Sequence, residues 1–420
     1  MVYKQNHSPV KVFGFIIVAT FFFYLVNTPR DYRKNLETRT YRRLLTSYDI
    51  TANTFLPYEI IKNKRLYFGE QTMTAMRVIE RRDIPHSVVL KNGRYLPAYP
   101  IMSSLIAVPV YFIPLSFGKI PNLDTIQRTL GVLILGRISA SFYTALSVGI
   151  FYLILRRLSL LKKLKISFWF YLTIFFFAFC TNVYSISSRG LWQHVPALLF
   201  NSLILLVMLH LNDKDNLFKW LGVLCGLSFL SRPTNIFYVA AVAIFVLVKY
   251  RRVFIQFILG AVPFAIIYML YNYLMFGSPF VNEYVARDDT HFTTPIWEGL
   301  IGYMVSPARS FLFITPPLVM SYYCLVFLYK KKGKDYADHV LQYLGTAFIA
   351  TLIMYSMWWC WYGADRFGYG FFTEWVPVLI LLIYEKMVGM KRVWKILLLL
   401  LIVYSFYTQF NAVWYPQKPM

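Results

Sequence analysis

Apolar residues run along this chain in blocks of roughly 15 to 27, about the length a helix needs to cross a bilayer, and polar residues collect in the short segments between them. The first block is Val12 to Val26. Others cover 98–117, 129–155, 166–187, 192–211, 217–231, 234–249, 254–276, 308–329, 339–358, 371–388 and 393–411, which makes twelve candidate spanning helices. The block with Pro100, Pro109 and Pro114 is the one to expect short or re-entrant, because proline removes helix hydrogen bonds.

One interruption breaks the rhythm. The polar stretch from Asn27 to Pro97 is far longer than an ordinary connection of about 4 to 6 residues, and loops of that length usually carry function. Within it, Asn92-Gly93 lies between Val88-Val89-Leu90 and Tyr95-Leu96 and predicts a hairpin turn. Ile50 to Ile61 predicts a short helix lying on the membrane. The expected organisation is a single transmembrane domain over 1–420, with 27–97 as an extracytoplasmic loop.

Composition fixes the class. The chain is 58% hydrophobic and 15% charged, well below the roughly 25% charge of a soluble domain, so a soluble protein is excluded. The formal net charge of +24 does not mark a nucleic-acid binder, because the basic residues sit at the ends of apolar blocks. Arg156 to Lys165, Lys249 to Arg252, Lys330 to Lys334 and Glu385 to Lys395 are the short basic loops expected in the cytoplasm. Then the long loop and the turns at 185–196, 277–307 and 358–370 share the opposite face. Cys180, Cys225, Cys324 and Cys360 have neither metal spacing nor a disulfide pattern. Lys4 and Lys11 precede the first block as in a signal sequence, but no small-residue cleavage site follows, so a retained signal anchor is expected.

Candidate chemistry gathers on that second face. Asp49, in Tyr48-Asp49-Ile50-Thr51, could take a proton from an acceptor hydroxyl or simply cap a helix. Arg189, Trp192 and His194 lie in one polar-aromatic turn. The two basic groups suit a phosphate or sugar oxygen, and the indole suits either a sugar face or an interface anchor. Arg309 opens an apolar block where an arginine needs a partner, and its fork fits a lipid phosphate. Asp365 and Arg366, among aromatics and glycines from Trp358 to Gly370, complete the set, with a surface ion pair in an aromatic belt as the plainer reading. Neither a phosphate-cradling glycine loop nor zinc spacing is present, and participation of a divalent metal stays open.

In order, these segments resemble a bacterial branch of the GT-C glycosyltransferase superfamily, related to the protein mannosyltransferases and the lipid A aminoarabinose transferases. The matching pieces are Asp49; Tyr99-Pro100 with Pro109; Thr181 through Gln193-His194; Gly222 to Arg232-Pro233; Tyr271-Asn272 with Phe276 to Pro279; Ser306-Pro307 with Arg309; and Trp361 with Gly363, Phe367-Gly368 and Pro377. They cover nearly the whole chain. One departure is Gly370, where such sequences carry arginine; Arg366 lies four residues earlier. The resemblance implies an all-α polytopic GT-C-like protein of about 11 to 12 transmembrane helices in the inner (cytoplasmic) membrane. It also implies a polyprenyl-phosphate-sugar donor, a glycan, lipid or protein acceptor on the extracytoplasmic face, and inversion at the sugar carbon. Asp49 would be the base, and Arg309 or Arg366 would meet the departing phosphate. A polysaccharide polymerase or ligase, a transporter and a membrane scaffold are the competing classes. A transporter would place ionisable groups or broken helices near the midplane, and a polymerase its long loop late in the chain.

Overall fold

The structure is a computed structural model and describes residues 8–39, 41, 44–45, 47–120, 122–211, 217–286, 291–363 and 367–415. It is about 75% helical with almost no strand, as the apolar blocks require. α1 (Pro9–Leu25) runs into α2 (Thr28–Thr38), and Pro9 sits in the first turn of α1, where its missing N–H leaves no bond unmade. The long polar stretch is folded. It holds α3 (Thr51–Asn63), α4 (Glu70–Glu80) and a hairpin of β1 (Val88–Lys91) and β2 (Arg94–Pro97). Lys91 pairs with Arg94 across Asn92 and Gly93, whose φ angles of 51° and 71° suit a primed two-residue turn.

α3 departs from expectation. Every residue from Thr51 to Glu59 is buried, so this helix lies inside the protein against α5 (Met102–Ser116) and α6 (Ile126–Leu161) rather than flat on a membrane. Several of its polar side chains bond inside the protein, which offsets part of the cost of that burial. Asn53 Nδ2 donates to the Leu191 carbonyl at 3.1 Å, and the Glu59 carboxylate accepts from Gly69 N at 3.0 Å and pairs with Arg65 at 3.2 Å.

Most of the remaining helices follow the apolar blocks. They are α7 (Phe168–Phe179), α8 (Asn182–Ser185), α9 (His194–Met208), α10 (Leu217–Ser231), α11 (Ile236–Lys249), α12 (Phe254–Phe276), α13 (Ile296–Val305), α14 (Phe311–Ile314), α15 (Met320–Lys330), α16 (Tyr336–Ser356), α17 (Val376–Gly389) and α18 (Arg392–Trp414). The block at 308–329 is split into α14 and α15, because Pro316 and Pro317 cannot donate within a continuous helix. α13 forms inside the stretch expected as loop. Among the described residues five helical segments are long and apolar enough to cross a membrane: Pro9–Thr38, Ile126–Leu161, Phe168–Ser185, Arg251–Phe276 and Arg392–Trp414. That is the makeup of a membrane protein.

Glycine sets the closest helix contact. A Cβ on Gly222 of α10 would stand 2.0 Å from the Phe257 carbonyl oxygen, and one on Gly260 of α12 would stand 2.1 Å from that of Lys219. Small residues let backbones touch where hydrophobic exclusion gives little drive between helices. The two larger parts of the core meet along α6. The first half of that helix packs with α3 and α5, and its second half with α7 and α9.

Candidate active site

A cavity of about 490 Å³ opens where the folded long segment meets the ends of α9, α10 and α16. Its first wall is built around Asp49, on a single 3-10 turn from Tyr48 to Ile50 whose entry is fixed by the Asp49 N–H donating to Ser47 Oγ at 3.3 Å. Tyr99 Oη donates to Asp49 Oδ1 at 2.7 Å, and His86 Nε2 stands 3.7 Å from the same oxygen. Glu80 anchors the turn that presents His86, accepting from His86 N at 2.5 Å and from Ser87 Oγ at 2.8 Å. Burial raises the Glu80 carboxyl above its usual range, and those two donors act against the shift.

The second wall carries the cation. Arg232 follows α10 directly and is 2% exposed. Its Nη1 bonds the Glu374 carboxylate and donates to the Phe371 carbonyl at 2.8 Å. The guanidinium also lies 5.0 Å over the Tyr355 ring and 5.6 Å over Phe371, which themselves stack at 4.7 Å. Fork, carboxylate and rings therefore hold it in one plane. Behind it, His194 Nδ1 meets the other Glu374 oxygen at 2.8 Å. Tyr284 completes this side, donating to Gln193 Oε1 at 2.8 Å and meeting Tyr99 edge to face at 6.4 Å.

The third wall is aromatic, with Tyr355, Trp358, Trp359 and Phe292. It is zipped together by main chain: Trp359 N donates to His291 O at 2.9 Å and Thr294 N to Met357 O at 3.1 Å. The cavity thus sets a carboxylate with tyrosine and histidine neighbours, a buried guanidinium and flat apolar faces around one space. Proton transfer, phosphate binding and ring stacking are the chemistry such groups supply.

The sequence-derived residues fall in different places. Asp49 lines the cavity. His194 lies one layer behind it, as a partner of Glu374. Arg189 points elsewhere. Its Nη2 meets Asp31 at 3.0 Å, a carboxylate it shares with Arg137 at 3.3 Å, and it also bonds Asn27. Trp192 is buried against the core of the long segment, its carbonyl accepting from Ser103 Oγ at 3.0 Å. Arg309 is half-buried just past α13 and is not among the cavity-lining residues. Asp365 and Arg366 lie outside the described residues.

Arg232, His86, Tyr99, Gln193 and Tyr284 were not singled out from the sequence as site residues. A signal for Arg232 existed: it closes an apolar block where an arginine is costly without a built partner, and that partner, Glu374, lies 142 residues away. Comparison with protein-family models, with curated proteins and with solved structures returns no match.

Proposed function

We propose that this chain is a multi-pass glycosyltransferase of the GT-C kind, moving a sugar from a polyprenyl-phosphate donor to a glycan, lipid or protein acceptor. The observation that carries the reading is one cavity holding both the Asp49 carboxylate and the Arg232 guanidinium beside an aromatic wall. Its volume of about 490 Å³ falls in the range of small-molecule sites. In this reading the five long apolar helices and the shorter ones give about 11 to 12 passes through the inner membrane. The basic loops lie in the cytoplasm and the cavity opens on the other face.

The chemistry then follows from the walls. Asp49 accepts the acceptor's hydroxyl proton as its oxygen bonds the sugar carbon, and Tyr99 and His86 keep the carboxylate aimed. The bond from that carbon to the phosphate oxygen breaks on the opposite face, which inverts the centre. Arg232, already held by Glu374 and stacked on Tyr355, meets the charge building on the departing phosphate without having to reorganise. The flat aromatic faces suit the sugar and the first isoprene unit.

The test is a transfer assay on purified protein with polyprenyl-phosphate sugars. Asp49→Asn keeps size and capping ability but removes the base, so turnover is expected to fall by about a hundred-fold or more, while donor binding and unfolding temperature hold. Near-wild-type turnover in this variant rules out Asp49 as the base.

A further inference from the structure

Glu283 is a buried acid that the transfer reading leaves unused. It follows α12, is 3% exposed, and its Oε1 has no hydrogen-bond partner among the described residues. It lines a second, smaller pocket of about 50 Å³ between the start of α5 and the end of α12. The titratable groups facing it are tyrosines: Tyr268 and Tyr271 on α12, and the adjoining Tyr284. α5 and α10 contribute only apolar side chains, Met102, Leu105 and Leu230 among them. Leu105 and Ile267 at its rim are 38% and 51% exposed, on the apolar flank of their helices.

We propose that this pocket binds a primary ammonium group, with Glu283 as its counter-ion and Tyr268 and Tyr271 as its aromatic walls. A carboxylate oxygen lacking a donor, in a chamber of apolar and aromatic faces, matches an N–H cation on a hydrocarbon stem. A hard metal ion would need a shell of several oxygens, which these walls do not offer. Burial raises the Glu283 carboxyl to about 7, so an arriving cation finds an acid that ionises readily at neutral pH. Because the rim lies on an exposed apolar flank, the stem approaches from the hydrocarbon side. Two sources share this chemistry, the ethanolamine head group of a membrane lipid and a free small alkylamine. The pocket is separate from the transfer cavity, although Tyr284 stands beside both, and its test needs no transfer activity.

Thermal unfolding of the purified full chain, titrated with methylammonium chloride, decides the first question. Tetramethylammonium is the control, because it carries the same charge but cannot donate to Oε1. A saturable rise in unfolding temperature is expected with methylammonium alone, with half-saturation weakened by about ten-fold or more in Glu283→Gln. Tyr271→Leu, which keeps the acid and removes one wall, is expected to weaken it by about three-fold. Equal responses to the two cations, no response, or an unchanged half-saturation in both variants overturns the proposal. Native mass spectrometry from nanodiscs of phosphatidylethanolamine or phosphatidylcholine separates the sources. Selective retention of phosphatidylethanolamine by wild type and not by Glu283→Gln assigns the lipid head group, and a methylammonium response without it assigns a soluble amine.

Discussion

The two ends of α17 both carry buried ion clusters, yet they differ in what surrounds them. Before its first turn, Glu374 is held by His194 and Arg232, all within 2% of full burial, and Arg232 forms part of a cavity of about 490 Å³. Toward its last turn, Lys162 meets Asp335 at 2.8 Å, Glu385 at 3.2 Å and Asp338, and Lys331 meets Asp338 at 2.7 Å. That second cluster joins the end of α6 to the start of α16 and the end of α17, around a space of only about 40 Å³. Asp335 and Glu385 keep 42% and 46% exposure there. The contrast shows that an ionic cluster alone does not mark a site. Both clusters tie helices together, and the guanidinium that also lines a large cavity is the one with a surface left to act on a ligand.

Arg232→Met should break this comparison hardest. Removing one partner of a buried pair costs about 3 to 5 kcal/mol, and here Glu374 would be left with His194 alone. Unfolding in detergent should register that loss, and transfer per folded molecule should fall as well. Arg232→Lys keeps the charge but not the planar fork, so its folding should recover more than its transfer. Equal recovery of both would make Arg232 a structural cation like Lys162.

Lys162→Met is the matched experiment at the other end. Its ammonium is 5% exposed among three carboxylates, two of which are open to solvent. The expected loss is therefore smaller, about 2 to 3 kcal/mol after allowing for screening. Transfer per folded molecule should stay at the wild-type level. A selective loss of turnover without a loss of stability would overturn the division between the two ends.

Much of this frame was legible in the apolar pattern, and the reason is physical. α12 and α18, both long and apolar enough to span, begin and end within a few residues of an apolar block, because a spanning segment must satisfy its own backbone. α13 was missed since it is only ten residues long, with two glycines that seat Ser356 and Trp361 against it. The Asn92-Gly93 turn was readable because its φ angles need those residues. Partnerships at long range were not. Arg189 and Arg232 both stand next to apolar helices, and only the fold gives one to Asp31, 158 residues away, and the other to Glu374 and the cavity. Asp49 was legible as an acid in the one long segment, but the tyrosine aiming it lies 50 residues on.

Glu283 supplies the limiting case, a buried carboxyl with none of the partners that Glu374 and the Lys162 cluster enjoy, and it gives the smallest effect. Its folded value of about 7 stands above the ordinary 4.5, because burial disfavours the charged form. A raised acid holds its proton in the folded state after the unfolded chain has released it. Its contribution to stability is therefore fully present below about pH 4.5 and is lost as pH rises through about 7. Between pH 8 and pH 6 this linkage amounts to about 1.4 kcal/mol in favour of the lower pH. In amine-free buffer, the difference in unfolding free energy between wild type and Glu283→Gln should change by that amount across the window, since glutamine does not titrate. A difference that stays flat from pH 8 to pH 6 would mean that Glu283 already has a charged partner in the folded protein, and its kinship with Glu374 would then be closer than its surroundings imply.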